Sequence, residues 1–175
     1  MKAIIQAGGK GTRMSSITKD LIPKPMLKVG EFPILYHQIM NLKRDGIIDI
    51  TIIVGYLGNI IKEYFGDGKK YGLNIDYFEE NPGEPLGTAG ALYYLKNKIN
   101  DDFFFILADI FFDIDFKRMI EYHLKKNASI TLLSHPNSHP FDSDLIVSTE
   151  SSVVSKFDYK TNDRSEYDYI NLVNA

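Results

Sequence analysis

The chain has 175 residues, which suits one domain with at most a small appendage. Hydrophobic residues make up 44% and charged residues 25%, an ordinary balance for a globular domain with one sizeable core. The net charge of -3 argues against bulk nucleic-acid binding, and the lack of Cys excludes disulfides, thiolate metal sites and a thiol nucleophile.

In chain order, Ala3-Ile4-Ile5 reads as a short buried strand ended by Ala7-Gly8-Gly9. Residues 7 to 31 lack apolar periodicity and read as a long loop, a length uncommon unless functional. A helix follows, with Pro33 in its first turn, Leu35, Ile39 and Leu42 on one face, and Gly46 past its end. Ile50 to Val54 is a β-branched run expected of a strand covered on both faces. Ile60, Ile61, Tyr64 and Phe65 mark a second helix, Asn74 to Phe78 a strand, and Gly87 to Leu95 a third helix. Phe103 to Leu107 is another buried strand, leading to Asp109, the first charge to interrupt the apolar run. Asp115 can cap a helix carrying Phe116, Met119, Ile120 and Leu124. Ser129 to Leu133 reads as one more strand, residues from 144 onward as hairpins, and Lys160 to Tyr169 as a polar loop.

Strands alternating with helices imply an α/β fold, a mostly parallel sheet with helices on both faces. Ligands in such sheets sit beyond the carboxyl ends of the strands, where the loop after the first strand and Asp109 both belong. No secretory signal is visible, and no apolar run approaches the roughly 20 residues that span a bilayer. A cytoplasmic protein with neither membrane nor nucleic acid as partner is therefore expected.

The segment Gln6-Ala7-Gly8-Gly9-Lys10-Gly11-Thr12-Arg13-Met14 matches neither the Walker A loop nor the dinucleotide fingerprint in its spacing. Its physical logic is related. Glycines let backbone N–H groups converge on phosphate oxygens, and Arg13 adds a permanently charged planar fork. Pro23-Lys24-Pro25 then holds a lysine on an extended segment between two prolines.

Gly-Gly-x-Gly-Thr-Arg followed by Pro-Lys-Pro resembles the signature of sugar-1-phosphate nucleotidyltransferases. The resemblance continues through Leu86-Gly87-Thr88-Ala89-Gly90-Ala91-Leu92 and Asp109. It implies a Rossmann-like three-layer fold of the glycosyltransferase A type, with residues 1 to 175 forming one nucleotidyltransferase domain. It also implies roles. Ala7, Gly8, Gly9, Gly11 and Thr12 would wrap the triphosphate, and Arg13 would stabilise the leaving pyrophosphate. Lys24 would sit near the reacting phosphates, and Asp109 would help hold Mg²⁺. The partners would be a nucleoside triphosphate and a sugar 1-phosphate. Ala108 departs from the glycine usual in the family, a change that could crowd the metal or the sugar.

Glu79-Glu80 and Glu84 precede Gly87-Thr88. A guanine edge offers two adjacent donors, which a carboxylate matches with two acceptors. The phrase Glu84-Pro85-Leu86-Gly87-Thr88-Ala89-Gly90 is similar to guanylyltransferases acting on mannose or heptose 1-phosphate. It implies GTP, with Glu80, Glu84, Gly87 and Thr88 in the nucleotide site.

His135-Pro136-Asn137-Ser138-His139-Pro140-Phe141-Asp142-Ser143-Asp144 carries two His and two Asp, as a zinc site would. A His-to-His spacing of four works best on a helix, which Pro136 and Pro140 discourage. A ligand-facing or interface loop and a plain loop are the alternatives, and the segment resembles a loop in heptose 1-phosphate guanylyltransferases.

Phe157-Asp158-Tyr159-Lys160 resembles a Phe-x-Glu-Lys motif whose Lys contacts the sugar phosphate, with Tyr159 in place of the Glu. Asn174-Ala175 matches the start of an Asn-Ala-Gly motif. Lys160 and Asn174 are thus the expected sugar-phosphate contacts. A second metal-binding carboxylate and the rest of the sheet lie beyond this point in the family, so a C-terminally truncated fold is expected. A sheet edge left open in that way would invite pairing with a second copy, a homo-oligomer.

Overall fold

The computed structural model describes residues 1–9, 21–81, 83–84, 86–136, 143–163 and 173–174. In chain order its elements begin with β1 (Lys2–Gln6), a 3-10 turn at Lys24–Met26, β2 (Lys28–Val29) and β3 (Phe32–Pro33). Next come α1 (Ile34–Arg44), β4 (Asp49–Val54), α2 (Gly58–Phe65), β5 (Asn74–Glu79), α3 (Gly87–Leu95), β6 (Phe103–Leu107) and α4 (Phe116–Lys126). β5, β4, β1 and β6 lie side by side in that order, and every pairing among them is parallel. The order reverses at β1, which makes its carboxyl end a topological switch point.

The strand period of two divides the apolar residues between two faces. Ala3, Ile5, Ile50, Ile52 and Val54 pack with Leu35, Ile39 and Leu42 of α1 and with Ile61 and Phe65 of α2. Ile4 and Ile53 pack on the other side with Ala91 and Leu95 of α3. This is the expected three-layer α/β arrangement. Pro33 stands one residue ahead of α1, where its missing N–H goes unneeded. The carboxylate of Asp115 accepts the Arg118 N–H at 2.9 Å and caps α4 as expected.

Two expectations need correction. The stretch from 7 to 31 is not all loop: Pro25 is buried in the 3-10 turn, and β2 pairs with β3 in an antiparallel hairpin. Short polar hairpins leave no apolar period to read. Ser129 to Leu133 forms no strand; Ile130 is 78% exposed, and the strand nearby is β7 (His135–Pro136). An apolar run becomes a strand only where a neighbour supplies ladder partners.

The chain divides into two compact units, Met1–Arg118 and Met119–Ala175, with the boundary inside α4. The second unit holds β7, β8 (Leu145–Ser148), β9 (Val154–Asp158) and β10 (Val173–Asn174) in the antiparallel order β7-β10-β8-β9. β8 and β9 are the hairpin expected after residue 144, with Leu145 and Ile146 buried.

Candidate active site

Because β1, β4 and β6 are parallel, the chain leaves all three at one edge. The Ala7 N–H donates to the Ile53 carbonyl at 2.8 Å, and the Ala108 N–H donates to the Gln6 carbonyl at 3.0 Å. The sheet thus extends one residue past β1 and β6, and Gly8-Gly9 and Asp109 emerge together at the switch point. Ala108 is 1% exposed and belongs to the apolar cluster under α1. Its methyl is taken up by the core, so the departure from glycine does not crowd the open edge.

Gly55 is required by close packing, since a Cβ there would lie 2.8 Å from the Gly8 carbonyl oxygen. A Cβ on Gly8 would fall on the carboxylate of Glu80, which would have to shift. Glu80 follows β5 and is only 7% exposed. Its N–H donates to the Val54 carbonyl at 2.8 Å, and its Oε2 accepts from Gln6 Nε2 at 3.3 Å. Among the described residues, the Oε1 atoms of both Gln6 and Glu80 are buried without a hydrogen-bond partner. At Gly9, by contrast, no atom of the described residues comes within 4 Å of a Cβ position.

Lys24 opens the 3-10 turn, and its Nζ lies 3.5 Å from Asp109 Oδ2. Its side chain is 17% exposed while that of Asp109 is 47% exposed, so the lysine is partly walled in and the carboxylate faces water. Polar side chains on α1 and at Asp45, just past its end, fix the segment after β6. Gln38 Nε2 donates to the carbonyls of Leu107 and Ile110. Asn41 and Arg44 each reach Asp113 and the Ile114 carbonyl, and Asp45 accepts the Phe116 N–H.

Gly87 begins α3 at φ 76°, a conformation that only glycine adopts without strain. Leu86 precedes it, and among the described residues no side chain caps the first N–H groups of α3. Thr88 lies exposed in that first turn. Glu84 is exposed in a turn closed by its N–H on the Asn81 carbonyl at 3.0 Å.

Gly11, Thr12 and Arg13 lie outside the described residues, as do residues 137–142 of the histidine-bearing loop. Lys160 and Asn174 belong to the second unit. The Lys160 N–H donates to Asp144 Oδ1 at 3.0 Å, and Asn174 pairs with His135 and Leu145 in the β10 ladder. Within the first unit, Gly8, Gly9, Lys24 and Asp109 are brought to one edge, with Glu80 against Gly8. Sequence reasoning missed Gln6 and Gln38. The available signal was polarity out of place: Gln38 interrupts the apolar stripe of Leu35, Ile39 and Leu42, and Gln6 ends a run of core residues.

Among the described residues no three His, Cys, Asp or Glu gather as a metal cage. Asp109 offers an accessible carboxylate beside Lys24. Mg²⁺ takes one or two carboxylates with phosphate oxygens and water. The donor set therefore fits Mg²⁺ arriving with a triphosphate. No described helix is long and apolar enough to cross a membrane.

Comparison with known proteins accords with this geometry. Residues 2–171 match the family described as nucleotidyl transferase, and the chain belongs to that family. It is 38% identical over 165 residues to a D-glycero-alpha-D-manno-heptose 1-phosphate guanylyltransferase of Campylobacter jejuni, covering 89% of the chain and 71% of the relative. It is 35% identical over 154 residues to a mannose-1-phosphate guanyltransferase of Yarrowia lipolytica, covering 84% of the chain but 41% of the relative. Among solved structures, a Bacillus anthracis protein provisionally named a glucose-1-phosphate thymidylyltransferase superposes with a TM-score of 0.83 at 26% identity. That match covers 99% of the chain and 68% of the neighbour.

Proposed function

We propose that this chain transfers a nucleoside monophosphate from a nucleoside triphosphate, GTP, to a sugar 1-phosphate of the heptose or mannose type. The observation that carries the reading is the Lys24–Asp109 pair, 3.5 Å apart at the switch point beside Gly8-Gly9. It sets a cation and a metal-competent carboxylate where a triphosphate entering a parallel sheet would meet them. The relation to heptose and mannose guanylyltransferases supports the base and the sugar class.

In this reaction an oxygen of the sugar phosphate attacks the α-phosphorus. The new P–O bond forms as the bond from the α-phosphorus to the bridging oxygen breaks, and pyrophosphate departs with that electron pair. The attacking phosphate is already ionised, so no protein base is needed. The work left to the protein is to bring two anions together and to stabilise the charge growing on the bridging oxygen. The backbone of Gly8, Gly9, Gly11 and Thr12 cradles the triphosphate, Arg13 and Lys24 offset its charge, and the open N-terminus of α3 at Gly87-Thr88 lies along the nucleotide. Glu80 and Glu84 are the candidate acceptors for the base edge, and Lys160 and Asn174 are candidates for the sugar phosphate on the family resemblance alone. Asp109 would hold Mg²⁺ together with phosphate oxygens; when bound, the ion adds positive charge at the reacting phosphates.

The test is pyrophosphate release with Mg²⁺ from GTP, UTP, dTTP and ATP, each against heptose, mannose and glucose 1-phosphates. Release with GTP and one of the first two sugars, lost in Asp109→Ala, is the expected result. A preference for UTP or dTTP would move the chain to the uridylyl- or thymidylyltransferases. GTP binding without release in any combination would make it a non-catalytic nucleotide-binding subunit.

A further inference from the structure

One side chain governs the turn that presents Asp109. Gln38 stands on α1 among Leu35, Ile39 and Leu42 and is 0% exposed. Its Nε2 donates to the Leu107 carbonyl at 2.9 Å and to the Ile110 carbonyl at 2.5 Å. Those carbonyls bracket Ala108 and Asp109. A primary amide has two N–H donors, and both are committed to this turn. The Oε1 of the same amide is buried and finds no partner among the described residues. A buried orphan acceptor opposes folding, so packing alone would favour an apolar residue in this stripe. The two bonds to the turn are the compensating interaction. Asn41, Arg44 and Asp45 anchor residues 113, 114 and 116, further along the segment.

We propose that Gln38 is the positioning residue for Asp109. It holds the turn from 107 to 110 so that the carboxylate stands beside Lys24 and Gly8-Gly9, and it thereby sets the affinity for the divalent cation that accompanies the triphosphate. The inference rests on the reading of Asp109 as the cation ligand. Gln38 touches no reactant and acts through the backbone.

The test is Mn²⁺ affinity, measured by electron paramagnetic resonance with GTP present and no sugar phosphate, in the full chain. Gln38→Met keeps the side-chain length and removes both donors. It is expected to weaken Mn²⁺ binding about 10-fold, the lower end for loss of a group that orients a metal ligand. kcat falls with it and recovers as Mg²⁺ is raised, while KM for the sugar phosphate stays put. Backbone hydrogen exchange at Asp109 and Ile110 quickens. Asn41→Ala also loosens the segment, but beyond the turn, and leaves Mn²⁺ affinity unchanged. Gln38→Asn, which withdraws the amide by one methylene, falls between wild type and Gln38→Met and serves if the latter does not fold. Wild-type Mn²⁺ affinity in Gln38→Met, or equal weakening in Asn41→Ala, overturns the proposal and leaves the role of Asp109 standing. A wild-type chain that binds GTP but no Mn²⁺ beyond what free GTP binds removes the cation-ligand reading, and this inference with it.

Discussion

Lys24 Nζ and Asp109 Oδ2 meet at 3.5 Å across 85 residues of sequence, one from the turn after the Gly-rich segment and one from the end of β6. The pair is open to water on the Asp109 side, so its contribution to stability is small, about 0–1 kcal/mol. Its role is in the reaction. Lys24→Met and Asp109→Asn are each expected to lower kcat by about 10²–10³, the range for removing one preorganised charge-stabilising group. Thermal denaturation should hardly move. A large drop in melting temperature with unchanged turnover per folded molecule would make the pair structural.

Gly8 and Glu80 are coupled by contact. In Gly8→Ala the new methyl would fall on the Glu80 carboxylate. Overpacking of this kind costs about 1–3 kcal/mol. The same substitution in a Glu80→Ala background should cost much less, because the remaining neighbour, Gly55 N, is at 3.4 Å. Urea unfolding of the four proteins of that cycle measures the difference. Equal costs in both backgrounds would show that the carboxylate is not the obstacle.

Asp115→Ala removes the cap that receives the Arg118 N–H at 2.9 Å. The expected loss is about 1 kcal/mol, with no change in KM for either substrate. Chemical denaturation and steady-state kinetics together check this. Unaltered stability would mean that water replaces the cap without loss.

Tyr77 gives a pH dependence at the alkaline end. Burial, with Asp67 adding repulsion, pushes its phenol up to about 12, and its hydroxyl donates to the Gly66 carbonyl at 2.7 Å. The folded-state pKa exceeds the unfolded one, so the neutral form is favoured by folding. Its stabilisation is complete below about pH 10, the ordinary tyrosine value, and is lost as pH rises towards 12. Tyr77→Phe should be less stable at neutral pH and should show a flatter decline across that window. A parallel decline in the two proteins would place the alkaline sensitivity elsewhere.

Much of the first unit was legible as local chemistry. A run of β-branched residues at Ile50 to Val54, the helical spacing of Leu35, Ile39 and Leu42, and a capping Asp115 each act within one or two turns of chain. Such signals are read from neighbours in sequence, and they yielded the layered α/β fold. The order of the Gly-rich segment, Pro23-Lys24-Pro25 and Asp109 was legible for the same reason, since each motif is contiguous. Ser129 to Leu133 was misread because apolar content supplies only half of a strand; the other half is a neighbour's backbone.

What the tertiary structure alone decided is which distant groups meet. The parallel order β5-β4-β1-β6 brings Gln6 to Glu80 across 74 residues and Gln38 to Leu107 across 69. Strand order is set by how all the helices and strands share one core, and no window of sequence contains that information. The sequence by itself determined the elements and the chemical types available at their ends. The folded chain determined that Gly8 packs on a buried carboxylate, and that a glutamine in an apolar stripe bonds to the carbonyls on either side of Asp109.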